Sequence, residues 1–349
     1  MSVTTETLSL LQGMRISLDG RVDEQTRSLV RAWARAWDEL SADWRAAIAD
    51  LTAQAQDGAW PARGIVVRAE RTAKALEASR EALLALGENA GVNIVGTLPD
   101  LTLEASQWQA RLAASQMPAA ADPVAMLASF DRVDARALDA VVRRTAGQVT
   151  ALTRPLADDA TEAMARTLIR GVVVGDNPRR AAAEMVRRVE GRFNGGLTRA
   201  LTIARTEMLD AHREAARAQD AANVDTLRGW QWVATLDTRT CPSCWAQHGS
   251  EHPVDEPGPY DHQQGRCARV PLTKSWRDLG FDLDEPPSLV RSGADEFADL
   301  SQADQLAVMG RARLDALNAG TPFADLTTRR QTDGWRDSYA PTPVRDLAA

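Results

Sequence analysis

Cysteine is scarce in this sequence and confined to one segment. The 349 residues contain three cysteines, Cys241, Cys244 and Cys267. Three thiols cannot form an extensive disulfide framework, and the sequence predicts a protein made and kept in a reducing cytoplasm, where such residues are typical of free thiols or metal ligands. The cysteines therefore indicate one small site rather than cross-links throughout the fold.

Aromatic residues are few, and the sequence has no long apolar run and no excess of basic charge. Phe, Trp and Tyr make up 5% of the chain, which together with abundant alanine favours helix over sheet. No stretch approaches the ~18 apolar residues of a membrane span, and the start of the chain lacks the pattern of a signal peptide. The net charge of −7 argues against a chain whose main task is wrapping DNA, although it leaves room for local basic patches.

The sequence does contain enough apolar residues, 44%, to form a globular core. The first clear element is a helix from about Val22 to Ala55, in which apolar residues recur every three or four positions. This stripe is either a partner-binding face or the interior of a helical bundle, and we favour the bundle interior. Its members are Val30, Trp33, Trp37, Leu40, Trp44, Ile48 and Leu51.

Glycine and proline predict where the following helices end. A second helix is expected from Val66 to Leu86, closed by Gly87, and the stretch from Gly91 to Leu101 is expected to bend. Further along, Gly191 is expected to end one helix, and the next begins after Gly195 and Gly196. The sequence thus predicts several separate helices of moderate length.

The three cysteines and a histidine form the pattern C-x2-C-x17-H-x4-C, with Cys241, Cys244, His262 and Cys267 as its members. Four soft or borderline donors are what a tetrahedral structural zinc requires. The segment between Cys244 and Cys267 is rich in glycine and proline, which predicts irregular structure. Such a loop buries too little apolar surface to order itself, so a metal or a surrounding scaffold must hold it.

Short strands are predicted on either side of this loop, at Trp230 to Leu236 and at Arg269 to Leu272. Beyond residue 275, a capping pattern that begins at Ser301 predicts a helix to about Leu317. The final stretch, Gly334 to Ala349, is expected to be extended, to be disordered in the free protein and to order only against a partner.

Other interpretations of the same residues remain open. Cys241 and Cys244 have the spacing of a thioredoxin-like redox pair, although the surrounding sequence predicts no βαβ scaffold. They can also be the remnant of a lost metal site in which the thiols only pack. His212 with Glu207 resembles a general base with its partner, but such a pair on a helix is more often a solvated charged face.

A series of short motifs lies between residues 160 and 275. In order, they are Ile203-Ala-Arg205-Thr-Glu207, Trp232-Val-Ala-Thr, Asp237-x-Arg239-Thr-Cys241-x-x-Cys244, Gly249, and His262 to Cys267. With these motifs in this order, the sequence resembles the phage Mu F-like minor head proteins. The segment Leu300-Ser-x-Ala-Asp-Gln305-x-x-Val308-Met-Gly310 is similar to the segment that follows this domain in many members.

This chain departs from the family pattern at the end of the motif. The family usually closes with a compact His-Pro-x-Cys-Arg-Cys, whereas this chain has His262-Gln-Gln-Gly-Arg266-Cys267. One cysteine and the tight spacing are missing. His248 and His252 are therefore alternatives to His262 as the fourth donor.

The resemblance also marks four charged residues, Arg205, Glu207, Asp237 and Arg239. Their chemistry suits a structural brace that ties a helix to the cysteine loop. In this interpretation Arg205 donates to loop carbonyls or to Asp237, and Glu207 accepts from Arg239 or from a backbone amide. No catalytic residue is expected, because the sequence has no phosphate-binding glycine loop, nucleophile elbow or zinc-protease motif.

Together these features predict a mainly α fold with a helical N-terminal bundle, a small α+β zinc-ribbon-like module and a helical C-terminal tail. The expected divisions are an N-terminal helical region over 1–155, a Mu F-like head morphogenesis domain with the Cys/His loop over 156–275, and a C-terminal helix with an extended tail over 276–349.

The resemblance implies a minor capsid protein of a tailed bacteriophage that acts in procapsid assembly and in DNA packaging or delivery. The implied partners are the portal protein, scaffolding or major capsid protein and, non-specifically, DNA, with no membrane. The implied location is the virion, at the head interior or portal vertex, and the host cytoplasm during assembly. Two alternatives are an effector enzyme or toxin delivered with the genome, and a helical DNA-binding regulator. The regulator predicts basic residues in the loop, which holds only Arg266.

Overall fold

A computed structural model describes residues 3–55, 60–118, 122–130, 132–173, 178–332 and 335–347. The fold is mainly α, as predicted. The helices are α1 (Thr5–Ala53), α2 (Arg63–Val66), α3 (Glu70–Ala114), α4 (Pro123–Phe130), α5 (Ala135–Thr153), α6 (Leu156–Val173), α7 (Pro178–Ala222), α8 (Pro242–Gln247), α9 (Gly293–Ala298) and α10 (Gln302–Asn318). The strands are β1 (Leu227–Val233), β2 (Glu251–Pro253), β3 (Ala268–Thr273), β4 (Thr327–Thr332) and β5 (Trp335–Pro341), and short 3-10 turns lie at Phe323–Leu326 and Val344–Asp346.

The chain forms two compact units, each assembled from separate stretches of sequence. Unit 1 consists of Met1–Asp19, Leu98–Arg144 and Met208–Ala349. Unit 2 consists of Gly20–Thr97 and Thr145–Glu207. The linear division of the sequence at residues 155 and 275 stays a prediction. None of the helices in the described residues has the length and apolar character needed to cross a membrane.

The tryptophan stripe of α1 lies in the interior of unit 2, as the bundle interpretation predicts. Trp33 and Trp44 are fully buried, and the Trp44 indole donates to Ser79 Oγ at 2.9 Å. Trp37 packs on Phe193, with ring centroids 5.4 Å apart. These aromatic contacts join α1 to α3 and α7 within the unit.

The prediction is wrong for one member of the stripe, because the Val30 side chain is 42% exposed. Leu29, only 2% exposed, takes the buried position instead. Because a helix has 3.6 residues per turn, the apolar spacing alone does not say which of two neighbouring residues is buried. The direction in which each side chain leaves the helix determines this.

The predicted helix ends at glycine are also wrong. Helix α3 continues through the stretch from Gly91 to Leu101, and α7 continues through Gly191, Gly195 and Gly196. A Cβ added at Gly196 would lie 3.2 Å from Leu83 Cδ2 and 3.6 Å from Trp33 Nε1. This glycine therefore allows neighbouring helices to approach closely. That packing outweighs the cost of glycine in a helix interior, which is about 1 kcal/mol relative to alanine.

Unit 1 contains the predicted strands in a three-stranded antiparallel sheet of order β2-β1-β3. Trp230 on β1 lies opposite His252 on β2 and opposite Pro271 on β3. The sheet packs through Val270 and Leu272 against Leu11 and Leu112. The sequence missed β2 and the short helix α8, because a glycine- and proline-rich stretch conceals elements of three to six residues.

The C-terminal helix is confirmed, with Ser301 as its cap. Ser301 Oγ accepts from the backbone N–H of Asp304 at 3.2 Å and donates to its carboxylate at 2.7 Å. The tail that follows is not a lone extended strand but an antiparallel hairpin of β4 and β5. Residues 333–334 and 348–349 lie outside the described residues. The hairpin was missed because Leu326, Ser338 and Leu347 look like isolated residues in the sequence, whereas all three are buried.

Candidate metal centre

A tight turn after β1 directs the chain into the cysteine pair. Thr240 Oγ1 donates to the Thr235 carbonyl and to Asp237 Oδ1, and Asp237 Oδ1 also accepts from the backbone N–H of Arg239 at 2.9 Å. Helix α8 then starts with Cys241 as its N-cap. Cys241 and Cys244 are thereby brought to the same side of the first helical turn.

The distance between the two thiols distinguishes their possible roles. Cys241 Sγ and Cys244 Sγ are 3.5 Å apart, whereas a disulfide needs about 2.05 Å. Two thiolates on a tetrahedral zinc, each with a Zn–S bond of about 2.3 Å, lie roughly 3.8 Å apart. The pair consists of free thiols, and its separation is close to that of metal ligands and is also that of two thiols in hydrogen-bonding contact.

The other two predicted donors lie beside this pair. The donor atoms of Cys241, Cys244 and His262 lie within 4.8 Å of one another, as do those of Cys244, Cys267 and Asp261. Cys244 belongs to both groups. Among the described residues, however, the four predicted ligands do not form one group, because Cys267 lies with Cys244 and Asp261 and not with Cys241 and His262. Cys244 and Cys267 are buried, and Cys241 is half-buried.

Asp261 is a buried carboxylate of this cluster that the sequence analysis missed. Its Oδ1 accepts from the backbone N–H of His262 at 2.8 Å, and its Oδ2 accepts from that of Cys267 at 2.9 Å. Burial would raise the pKa of this carboxyl, but the charges of Arg213 and His262 and the Cys267 amide hold it below its usual value. The ionised Asp261 therefore fixes the backbone of two ligands, in the manner of the outer partners that orient metal ligands.

Gly265 makes this arrangement possible. A Cβ at this position would fall 2.0 Å from Asp261 Cγ, so any side chain would displace the carboxylate. The backbone N–H of Gly265 donates to the His262 carbonyl at 2.9 Å and closes the turn around the aspartate. The wider spacing between His262 and Cys267 in this chain is thus taken up by a turn folded over Asp261.

The protonation of the centre is uneven. The hydrogen bond from Cys244, followed by that from His262, lowers the pKa of Cys241 to about 5. The hydrogen bond between His262 and Cys241, together with the negative charge of Asp261, raises the pKa of His262 to about 9. The neighbouring thiols, with burial, raise the pKa of Cys244, and burial raises that of Cys267. A thiolate ligand is thus already favoured at Cys241, whereas the other two cysteines must lose their protons to bind metal.

The alternative histidines have other roles. His248 Nδ1 accepts from the backbone N–H of Ala234 at 3.1 Å. His252 stacks on Trp230 at 4.2 Å, and its ring nitrogens contact Ser250 and Glu256, each at 2.9 Å. Among the described residues, neither belongs to a group of three potential ligands. His262 is the histidine that the fold brings to the cysteines.

The redox interpretation is only half matched by the fold. Cys241 does stand at a helix N-terminus, and its Sγ lies 3.5 Å from the backbone N–H of Cys244. The surrounding three-stranded sheet is antiparallel, however, and the thioredoxin-like arrangement requires a βαβ unit. The geometry favours a binding or packing role over disulfide exchange.

Arg213 on α7 is the principal brace of the loop, and the sequence analysis assigned it no role. Its guanidinium donates to the carbonyls of Cys267 at 3.0 Å and Gly265 at 2.6 Å, and to Asp261 Oδ2 at 3.2 Å. These partners are 48 to 54 residues away in the sequence, and α7 gives no local sign of them. Only the folded chain identifies the contact.

The predicted brace residues Asp237 and Arg239 contact each other, with Arg239 Nη2 3.1 Å from Asp237 Oδ2. The stronger partner is Arg266, whose two Nη atoms each lie 2.9 Å from a carboxylate oxygen of Asp237. This fork holds the pKa of Asp237 well below its usual range. Arg266 is the single Lys or Arg between the candidate ligands His262 and Cys267. Its position in the sequence could therefore have indicated a partner for Asp237.

The other two predicted brace residues, Arg205 and Glu207, belong to unit 2, whereas the loop belongs to unit 1. Arg205 is half-buried, and Glu207 is fully buried. Their role as a brace of the loop stays a prediction.

Helix α7 anchors the module a second time through Asp220. Arg269 Nε donates to Asp220 Oδ2 at 2.6 Å, and Gln109 donates to the other oxygen at 2.8 Å. The Arg269 guanidinium also donates to the carbonyls of Val254 and Glu256 and lies 4.4 Å over the Trp230 ring. The glycine- and proline-rich loop is thereby tied to α7 two helical turns after Arg213.

The catalytic interpretation of His212 is not favoured by its surroundings. Its side chain is buried, and burial, followed by the charge of Arg213, lowers its pKa to about 4. The cavity that it lines with Arg213 and Cys267 has a volume of about 20 Å³, room for about one water molecule. A neutral histidine without space for a substrate is suited to packing.

Residues 162–270 match the family model described as Phage Mu protein F like protein. This region of the chain is Mu F-like. The resemblance seen in the sequence is thus confirmed over these residues, which include all four predicted ligands, Arg213 and Asp220. No curated protein and no solved structure matches the chain.

Proposed function

We propose that this chain is a minor capsid protein of a tailed bacteriophage, which acts in procapsid assembly near the portal and in packaging or delivery of DNA. The match of residues 162–270 to the Mu F-like family carries this proposal, because it points to phage head morphogenesis. The proposed partners are the portal protein and scaffolding or major capsid protein, and the proposed location is the virion.

The architecture of the Mu F-like region supports a binding role. Its loop is ordered by ion pairs and hydrogen bonds buried beneath it, such as Arg213 with Asp261 and Arg269 with Asp220, both almost fully buried. Such pairs give a loop one defined shape. We propose that this pre-formed surface docks on the portal assembly, and that no side chain in it performs chemistry.

Zinc is part of the proposal. Cys241, Cys244, His262 and Cys267 fit it by donor type, by number and by a thiol separation close to that of zinc ligands. Bound zinc would supply a four-coordinate cross-link with no position left for water, which is structural rather than catalytic. The chain's own residues orient this set, because Asp261 and Arg213 hold the backbone of the loop.

The first test is the presence of the protein in the particle. Quantitative mass spectrometry of purified virions and procapsids is expected to find this chain in few copies beside the portal. Procapsids from a phage that lacks the gene are the control. Absence of the chain from both particles would refute the capsid proposal.

The second test separates docking from the alternative, a phage-encoded effector enzyme or toxin. Arg239→Ala changes an exposed side chain of the loop, and it is compared with Arg277→Ala, an exposed arginine outside the Mu F-like region. Docking predicts that melting curves stay unchanged, while portal co-purification and phage yield fall for Arg239→Ala alone. Folded variants that enter virions normally but give non-infectious particles would contradict docking as the role of this surface. That result would favour the effector, or the DNA-delivery part of the proposal.

A further inference from the structure

Helices α6 and α7 concentrate arginine in a chain that is acidic overall. Residues 163–199 contain eight arginines and three acidic residues, whereas the whole chain has a net charge of −7. All the groove residues named below lie in unit 2. A local excess of positive charge in an acidic protein indicates an anionic partner at this place.

Four of these arginines line one groove with a volume of about 580 Å³. Arg166 and Arg170 come from α6, and Arg188 and Arg192 come from α7. On each helix the two are four residues apart and so lie on one face, about 6 Å apart along the axis. The groove thus has two rows of guanidinium groups, and among the described residues that line it none is acidic or aromatic.

The floor of the groove is open because its residues are small. Ala163, Gly171 and Gly191 line it between the arginine rows. A Cβ at Gly191 would meet nothing within 4 Å, so the space above this glycine is clear. An extended anion can therefore approach the backbone of α7 at Gly191, whereas Met185 occupies the space beside Gly171 on α6.

The arginines are only weakly engaged elsewhere. Arg188 pairs with Glu184 at 3.0 Å and Arg166 pairs with Glu162, both as exposed neighbours one helical turn apart. Exposed pairs of this kind contribute little to stability. Arg192 donates to Thr167 Oγ1 at 3.1 Å, and Arg170 forms no ion pair with any residue that the structure describes. Their guanidinium groups can therefore take phosphate oxygens in the two-pronged geometry that arginine favours.

We infer that this arginine groove binds the phosphate backbone of double-stranded nucleic acid without reading its sequence. Repeated cations along two rows match a polyanion with repeated phosphates better than a single carboxylate ligand. A groove without aromatic side chains offers no platform for unstacked bases, which favours a duplex over a single strand. The inference rests on the charge and geometry of α6 and α7, and it holds whether or not the chain is a capsid protein.

The test is fluorescence anisotropy of the purified full-length chain with a labelled duplex of arbitrary sequence. Four phosphate contacts predict a slope of log K against log salt of roughly −3 to −4, so affinity should fall on the order of 10² between about 50 and 200 mM salt. Arg170→Gln with Arg192→Gln is expected to weaken binding at least about 10-fold and to reduce the slope by about 2.

The matched control is Arg136→Gln with Arg277→Gln, which removes two exposed arginines outside the groove. It is expected to bind like the parent chain. Absence of duplex binding at low salt, or equal loss in both double variants, would overturn the inference. So would competition by polyglutamate as effective as that by unlabelled duplex, since the groove would then recognise acidic peptide.

Folding of the groove variants is checked separately by their melting curves. If the double variant melts earlier than the parent, the single variants Arg170→Gln and Arg192→Gln replace it. The salt slope of the parent chain needs no variant, and a slope near zero would by itself refute phosphate binding.

Discussion

Unit 2 and the Cys/His loop of unit 1 bury different kinds of side chain. The interior of unit 2 holds Trp33, Trp44 and Phe193, which are fully buried and apolar. At the loop, Trp230 and Trp232 are buried with the cysteines, but ion pairs are buried beside them, with Arg213 facing Asp261 and an arginine from β3 facing Asp220. Both kinds of interior exclude water, but they depend on different interactions.

Along α7 the contrast is one of degree. The part that belongs to unit 2 buries Ala200 and Ile203 together with Glu207. The part that belongs to unit 1 also buries apolar residues such as Met208, and it adds the ion-paired Arg213 and Asp220. Helix–helix packing needs apolar surface of the right shape, and many side chains provide it. An irregular loop has backbone groups that need specific partners, so it depends on individual polar residues.

Loss of the proposed metal is expected to have the largest effect in this comparison. The purified chain should contain about one equivalent of zinc, and binding to zinc-finger sites contributes roughly 10–16 kcal/mol. His262→Gln should lose zinc and become susceptible to protease between residues 237 and 267, while unit 2 stays resistant. Elemental analysis and limited proteolysis provide the measurements.

The control is His252→Gln, because His252 lies outside the ligand groups among the described residues. It should retain zinc. A parent chain without metal, with the loop equally resistant in both variants, would show that the loop is held by its polar contacts alone.

Removal of an apolar anchor is expected to destabilise unit 2 next most strongly. Trp44→Ala creates a cavity and leaves the Ser79 hydroxyl without its indole partner, so unfolding free energy should fall by about 3–5 kcal/mol. Denaturant unfolding measures the change. Val30→Ala on the same helix is the exposed control and should change stability by less than about 0.5 kcal/mol. Similar effects of both changes would contradict the bundle-interior assignment.

Removal of the arginine brace is expected to act on the loop. Arg213→Met leaves the buried Asp261 with His262 as its remaining cation, and breaking a buried pair typically costs about 3 kcal/mol or more. Arg217→Met, one turn further along α7, removes an arginine whose partner Glu214 is on the same helix, and it should cost less than about 1 kcal/mol. Hydrogen exchange of the backbone amides of residues 261–267 and denaturant unfolding measure both. Equal loss of protection in the two variants would indicate that Arg213 has no special role.

Acid should weaken the same part of the molecule more gradually. Burial and Arg213 lower the pKa of His212 to about 4 from its usual 6.5. As the pH falls below about 6.5, His212 gains a proton in the unfolded chain, whereas in the folded chain it is protonated only near pH 4. The free energy of unfolding should therefore decrease between about pH 6.5 and pH 4, by up to roughly 3 kcal/mol. Denaturant unfolding from about pH 7.5 to pH 4 should show a smaller pH-dependent loss for His212→Gln than for the parent. Identical pH profiles would exclude this contribution.

Much of this fold could be predicted because its signals are local. The tryptophan stripe, the two strands beside the loop and the cap at Ser301 each depend on spacings of a few residues. Candidate ligands could be named too, because soft donors are so rare in this chain that Cys241, Cys244 and Cys267 stand out, and their binding of metal stays a prediction. Glycine misled the helix boundaries because the same residue ends a helix or admits a neighbouring one, and sequence does not distinguish the two uses.

By itself, the sequence determined the helical class, the buried tryptophan face and the residues that can bind a metal, since each follows from residue type and short spacing. Only the tertiary structure decided that His262 rather than His248 or His252 joins the cysteines, that Asp261 and Arg213 orient the loop, and that four arginines of α6 and α7 share a groove. Those arrangements depend on which distant segments meet, and no local periodicity records the partner of a charged side chain that lies some 50 residues away.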